Sequence, residues 1–214
     1  MPTQFPPDER PSDPRAVRTQ EALRAAVLRL AAEKRVEDIS VSELTAAAGV
    51  NRTTFYRHAN SAADVLRQAL YQDFDVIRAE LLTIDNDLEN YRAAWVAVSS
   101  RIAEHIEHFL PIYRRGLGDD AALSPALMRM AAEHFEASMH GYLRRFPRLI
   151  PQVSSQASDA LELASARFVA AGSVELMRTW VQSPAPRDPA DYAAISMAVM
   201  PAWLLAPAPR AAGE

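Results

Sequence analysis

The 214-residue sequence predicts an all-α protein in two parts. A small N-terminal helical unit spans residues 14–60 and a larger one spans 61–206, with tails at 1–13 and 207–214. Three observations lead there. Residues 14–35 and 61–82 carry apolar side chains at helical spacing. Pro, Gly and short polar caps cut the rest of the chain into helix-length segments. Between the two long patterns, Ile39 to Leu70 reads as two short helices around a tight turn, feeding a third and longer helix.

In chain order, Pro2, Pro6, Pro7 and Pro11 among polar residues favour an extended tail. Arg10 is its one basic group, which does not suit a groove-binding arm. From Pro14, Val17, Leu23, Val27, Leu28 and Leu30 mark a first helix that ends near Lys34 and Arg35. Ser40 and Glu43 form a capping box, with the hydroxyl taking an N–H of the first turn and the carboxylate bonding back to the cap. Leu44, Ala47 and Ala48 give the helix that follows an apolar stripe, and Gly49 ends it in a left-handed conformation. Val50 is a buried plug, and Asn51 caps a helix that starts at Arg52 by accepting from Thr53 or Thr54. Ser61 to Leu82 is one long helix with Val65, Leu66, Ala69, Leu70, Phe74 and Ile77 inward, shared by both units.

Four helices are expected from Asp87 to Gln182. One is capped by Asn86 or Asp87 and runs through Trp95 and Ile102 to His108. A short one is bounded by Pro111 and Gly116 to Asp120. Ser124-Pro125 opens a third that stops before Pro147, and Pro151 precedes a long one from about Ser155. Asp188, Pro189 and Asp191 open the last helix, which Pro201 kinks or ends.

Helix, Gly-containing turn and second helix is the arrangement that sets its second helix in a DNA major groove. That second helix concentrates Arg52, Thr53, Thr54, Tyr56, Arg57 and His58, with Phe55 as its only large residue free of polar atoms. Arg pairs bidentately with guanine, Thr offers a hydroxyl or a methyl to bases, and Tyr and His suit phosphate oxygens. A solvated polar helix in an all-helical domain would have the same composition. The net charge of −4 makes any nucleic-acid contact local. Residues 1–60 hold nine basic and eight acidic groups, leaving +1 there and −5 in the remainder, a weak bias.

The run AAAGVNRTTFYRHANS resembles the signature of the TetR family of bacterial transcription regulators. The likeness covers Thr19 to Leu70 well. It is looser from Ala164 to Leu205, on FVAAGSVELMRTWV and DPADYAAISMAV. It implies an operator-reading surface of Arg18, Thr19, Ser40, Ser42, Asn51, Arg52, Thr53, Thr54, Tyr56, Arg57 and His58, with Arg18 and Thr19 near the DNA backbone. Two positions depart from the family pattern: Ala59 stands for an aromatic, and Ala62 for a Lys that touches a phosphate.

An effector pocket for a small apolar or aromatic molecule is expected among Trp95, His105, Phe109, Tyr113, His134, Phe135, Met139, Tyr142, Phe168 and Met177, a set that also suits a solid core. The long helix up to Gln182 carries two apolar stripes. One follows Leu161, Ala164, Phe168 and Ala171; the other follows Val169, Gly172, Leu176 and Trp180. The last helix shows Ile195, Val199 and Trp203 on one side and Met197, Met200 and Leu204 on another. A homodimer seam is expected at Val169, Gly172, Leu176, Trp180, Ile195, Val199 and Trp203.

His105 and His108 are three residues apart, but a surface pair of His108 with Glu104 serves as well as a metal site. No cofactor, metal or catalytic constellation is expected. With no cysteine, no leader-like N-terminus and no run of about 18 apolar residues, a cytoplasmic location without membrane contact is expected. The reading is a ligand-responsive repressor that binds a pseudo-palindromic operator as a homodimer. The alternative is an all-helical ligand-binding or interaction protein whose helix-turn-helix is only structural.

Overall fold

A computed structural model describes residues 14–82, 88–119, 123–146, 149 and 158–205. These form ten α-helices and a 3-10 turn at Val36–Asp38, with no strand among the described residues. Both tails, the cap at Asn86 or Asp87, Pro151 and Ser155 lie outside them.

Helix α1 (Pro14–Glu33) buries Leu23, Ala26, Val27, Leu30 and Ala31. Helix α2 (Val41–Ala48) starts at Ser40, whose hydroxyl accepts from Glu43 N at 3.1 Å. The Glu43 carboxylate does not close the expected box. Lys34 Nζ takes it at 2.6 Å, because the ammonium at the end of α1 is a stronger partner than a backbone amide. A related pair forms before α4 (Ala62–Leu82): Ser61 Oγ accepts from Asp64 N, and Asp64 Oδ2 accepts from the N–H of Asn60, one residue ahead of the cap, each at 3.1 Å.

Gly49 ends α2 with φ +66°, and its N–H and that of Val50 take the carbonyls of Ala46 and Thr45. Val50 is half-buried against the core rather than fully enclosed. Asn51 Oδ1 accepts from Thr54 N at 2.8 Å and opens α3 (Arg52–Phe55), a single turn.

The larger part contains α5 (Leu88–His108), α6 (Leu110–Leu117), α7 (Pro125–Arg145), α8 (Ser158–Gln182), α9 (Pro189–Val199) and α10 (Ala202–Leu205). Ser124 and Asp188 cap α7 and α9, each followed by Pro in the first turn. Pro201 separates α9 from α10. Helix α7 packs along α8, α5 packs along α9, and α4 reaches α1 as well as α5 and α7.

Two carboxylates tie distant elements together. Glu37, in the 3-10 turn, accepts from Ser124 Oγ at 2.6 Å and Ala126 N at 3.1 Å, so the first unit grips the start of α7. Burial would raise the Glu37 pKa, but these hydrogen bonds prevail and hold it below the ordinary range. Glu107 takes Arg187 in a two-pronged pair at 2.6 and 3.0 Å and also accepts from Trp180 Nε1 at 3.0 Å, which fastens the α8–α9 connection to α5. Among the described residues no helix is long and apolar enough to cross a membrane.

A Cβ at Gly49 would meet nothing within 4 Å, so replacement there tests backbone strain alone. Gly49→Ala should lower unfolding stability by about 1–2 kcal/mol. Gly141→Ala, in α7 with equally open space, should raise it by about 0.5–1 kcal/mol. Urea denaturation of the two variants checks both signs.

Candidate nucleic-acid interface and ligand cavity

The turn between α2 and α3 is held from below. Leu44 and Phe55 are fully buried, and Thr45, whose hydroxyl donates to Val41 O at 2.8 Å, is buried beside them. Helix α3 is shorter than expected, and Tyr56, Arg57 and His58 lie in the turn that follows it; with Phe55 anchored, Arg52, Thr53, Tyr56 and Arg57 are exposed, and Thr54 and His58 are half-buried. Tyr56 is 52% exposed. Arg18, Ser40, Ser42 and Asn51 are also exposed, and Thr19 is half-buried. Ser40 and Asn51 spend their side-chain oxygens as helix caps, and the Thr19 hydroxyl donates to Arg15 O at 2.9 Å. Ala59 and Ala62, the two departures from the family pattern, are 7% and 4% exposed. Both positions pack inward here.

In the larger part a cavity of about 60 Å³ is lined by α4, α5, α7, α8 and α9. Of the expected pocket residues, Trp95, His134, Phe135 and Met139 line it. Helix α4 adds Phe74 and Ile77, and four serines from four helices complete the wall: Ser99, Ser138, Ser173 and Ser196. Sequence reasoning missed these serines, although a hydroxyl in the middle of an apolar helical face was a legible sign of a buried polar site. Among the described residues no Asp, Glu, Lys or Arg lines the cavity. Its volume holds a few waters, yet it is smaller than the roughly 150 Å³ that accommodates a benzene ring. A ligand of that size must push the walls apart.

The other expected pocket residues sit elsewhere. His105, Phe109 and Tyr113 form an aromatic cluster behind Phe74, with the His105 ring 4.3 Å from Phe74 and 4.9 Å from Phe109. Tyr142 and Met177 are fully buried outside the cavity wall. Phe168 is 69% exposed and does not line the cavity, because its stripe on α8 is the outer one. Conversely, Val169, Leu176 and Trp180, expected at a subunit seam, are 2%, 8% and 5% exposed. Val169 and Leu176 face the cavity. Two apolar stripes on one helix do not say which is inside. Volume decides here: the stripe bearing Val, Leu, Met and Trp fills the core, and the stripe of Ala164, Ala171 and Gly172 with lone Phe168 is left outside. Gly172, Ile195 and Val199 are exposed, and Trp203 is half-buried.

Among the described residues no group of three His, Asp or Glu is placed to hold a metal ion. His105 points inward, 6% exposed, whereas His108 lies outside against Phe109. The His105 Nδ1 is 3.3 Å from the Asp73 carboxylate and its Nε2 is 2.9 Å from the Tyr113 hydroxyl. A neutral ring that donates to Asp73 and accepts from Tyr113 satisfies all three groups. Burial drives the His105 pKa down to about 4, against the pull of Asp73 and helped by the nearby His108 and His134.

The folded pKa lies below the ordinary 6.5, so the stability from neutral His105 is fully present above about pH 6.5 and is lost as pH falls toward 4. Urea midpoints should therefore drop more steeply for the wild type than for His105→Gln between those pH values. The difference should reach on the order of 2–3 kcal/mol.

No protein-family model and no curated protein sequence matches the chain. Solved structures do. The dihydroxyacetone kinase operon activator DhaS aligns at TM-score 0.51 and 16% identity, over 85% of this chain and 93% of its own. NalD, the secondary repressor of the MexAB-OprM multidrug efflux pump in Pseudomonas aeruginosa, aligns at TM-score 0.53 and 20% identity, over 86% of this chain and 94% of its own. The chain therefore has the all-α fold shared by an operon activator and an efflux-pump repressor.

Proposed function

We propose that the protein is a ligand-responsive DNA-binding regulator of the TetR type, a homodimeric repressor with residues 14–60 reading the operator and 61–206 holding the effector and the dimer seam. One observation carries this reading. A single helix, α4, lends Phe74 and Ile77 to the cavity wall, and buries Val65 near His58 and Ala59 at the end of the helix-turn-helix and Leu66 near α1 and the 3-10 turn. A ligand that moves α4 moves α3 with it. By their names the two aligned regulators are an operon activator and an efflux-pump repressor, and the exposed Arg, Thr and Tyr groups of α3 and the turn after it have the chemistry of base and phosphate contact. The dimer seam is proposed on the outer faces of α8 and α9, where Phe168, Val199 and Ile195 are 69%, 62% and 43% exposed. Two such protomers must hold their α3 helices about 34–36 Å apart to enter successive major grooves.

The test is binding to genomic fragments across a salt series. Affinity should fall steeply with salt, as phosphate neutralisation requires. Arg52→Ala should lose about 1–3 kcal/mol on the best site and relax base preference at one position of each half-site, whereas Tyr56→Phe should weaken all sequences alike. No DNA binding, or binding indifferent to salt, favours an all-helical ligand-binding protein whose helix-turn-helix only packs.

Phe168→Glu or Val199→Glu places a charge in the proposed seam and should split the dimer without unfolding the protomer, since both side chains are already exposed. Light scattering at micromolar concentration reads the result. A wild-type monomer removes both the seam and the palindromic operator.

A further inference from the structure

The cavity contains a hydrogen-bond surplus that does not depend on how its hydroxyl protons are oriented. Trp95 Nε1–H and the hydroxyls of Ser99 and Ser196 are three donors. Trp95 Nε1 and Ser99 Oγ each lie 3.2 Å from Ser196 Oγ, and these are the contacts the group makes among the described residues. Two bonds among three donors leave one hydroxyl over, whichever way the serines point. Ser99 and Ser196 are each 3% exposed and line the cavity.

The other two serines differ. Ser138 donates to His134 O at 2.8 Å and Ser173 to Val169 O at 2.9 Å, so both are satisfied by their own helices. One turn before Ser196 on α9, Tyr192 lines the same cavity at 2% exposure, and its hydroxyl has no partner among the described residues. Burial raises its pKa, which keeps the phenol a neutral donor. Residues four apart share a helix face, so the Tyr192 hydroxyl and the surplus hydroxyl of the Ser99–Ser196 pair give the cavity two donors with no protein acceptor among the described residues.

We propose that this wall receives the carbonyl oxygen of an uncharged, largely apolar ligand, a ketone, ester or amide whose carbon skeleton lies against Phe74, Ile77, Val98, Ile102 and Leu176. A carbonyl oxygen has two lone pairs and accepts from both donors. A carboxylate would meet the same donors but no cation, and an ammonium no anion, among the described lining residues, so neither recovers the hydration it sheds on entry. The inference rests on the cavity being the effector site.

The test uses pairs matched in shape, in which C=CH₂ replaces C=O: cyclohexanone with methylenecyclohexane, and acetophenone with α-methylstyrene, titrated into the full-length protein, with benzoate as the charged control. The ketone that fits should bind at least tenfold tighter than its hydrocarbon partner, because only the ketone pairs the buried donors, and benzoate should bind weakest. Combining Trp95→Phe, Ser99→Ala, Ser196→Ala and Tyr192→Phe should cut the preference below threefold and retain the hydrocarbon. The wild-type comparison stands alone if that variant does not fold. Equal affinities within both pairs, tighter binding of benzoate, or binding of no probe overturns the proposal. DNA binding by the same unliganded protein is read separately. If it is intact while the ketones fail, only the carbonyl site is rejected; if it is absent, the regulator reading falls as well.

Discussion

The structure depends on the burial of one stripe of α4 along most of its length. Ala62, Val65, Leu66, Ala69, Leu70, Phe74 and Ile77 are all 6% exposed or less. The first members pack with α1 and the 3-10 turn, and the last face α5, α7 and the cavity. Five of these side chains are large, and each is stabilised by about 1.5–3 kcal/mol on burial. Their sum is comparable to the whole net stability of a domain. The helix cannot leave either end of its bed without unfolding that end, so it responds to a push by shifting as a unit. The Glu37 contact with the start of α7 adds a second, polar tie between the same two parts.

Local signals made the first part legible. Ser40, Gly49, Asn51 and Ser61 each act through hydrogen bonds or backbone angles within three residues of themselves, and such rules transfer from sequence to structure without knowledge of the rest of the fold. The inward stripe of α4 was readable for the same reason, since helical periodicity is local. Even here a long-range partner intervened: Lys34 drew Glu43 away from the cap it was expected to close.

The second part was legible in its elements and not in its faces. Which stripe of α8 turns inward is decided by the volume that α5, α7 and α9 leave for it, and that is a property of four helices together. Val169 and Leu176 therefore went to the cavity and Phe168 to the surface. The aromatic and Met side chains pointed to the right region but not to the wall, because core and cavity draw on the same residue types. The residues that separate them are the serines, whose hydroxyls require partners that only the assembled fold supplies.

The central claim is that the contents of the cavity set the position of α3. The chain has no cysteine, so a single Cys at Ala46, exposed on α2, carries one spin label per protomer for distance measurement across the proposed dimer. Ser173→Phe fills the cavity from α8 with a ring that the cavity of about 60 Å³ cannot take without displacement of its walls. The account predicts that this variant shifts the label-to-label distance away from that of the operator-bound wild type. Superimposable distance distributions in a folded, dimeric Ser173→Phe protein would contradict it.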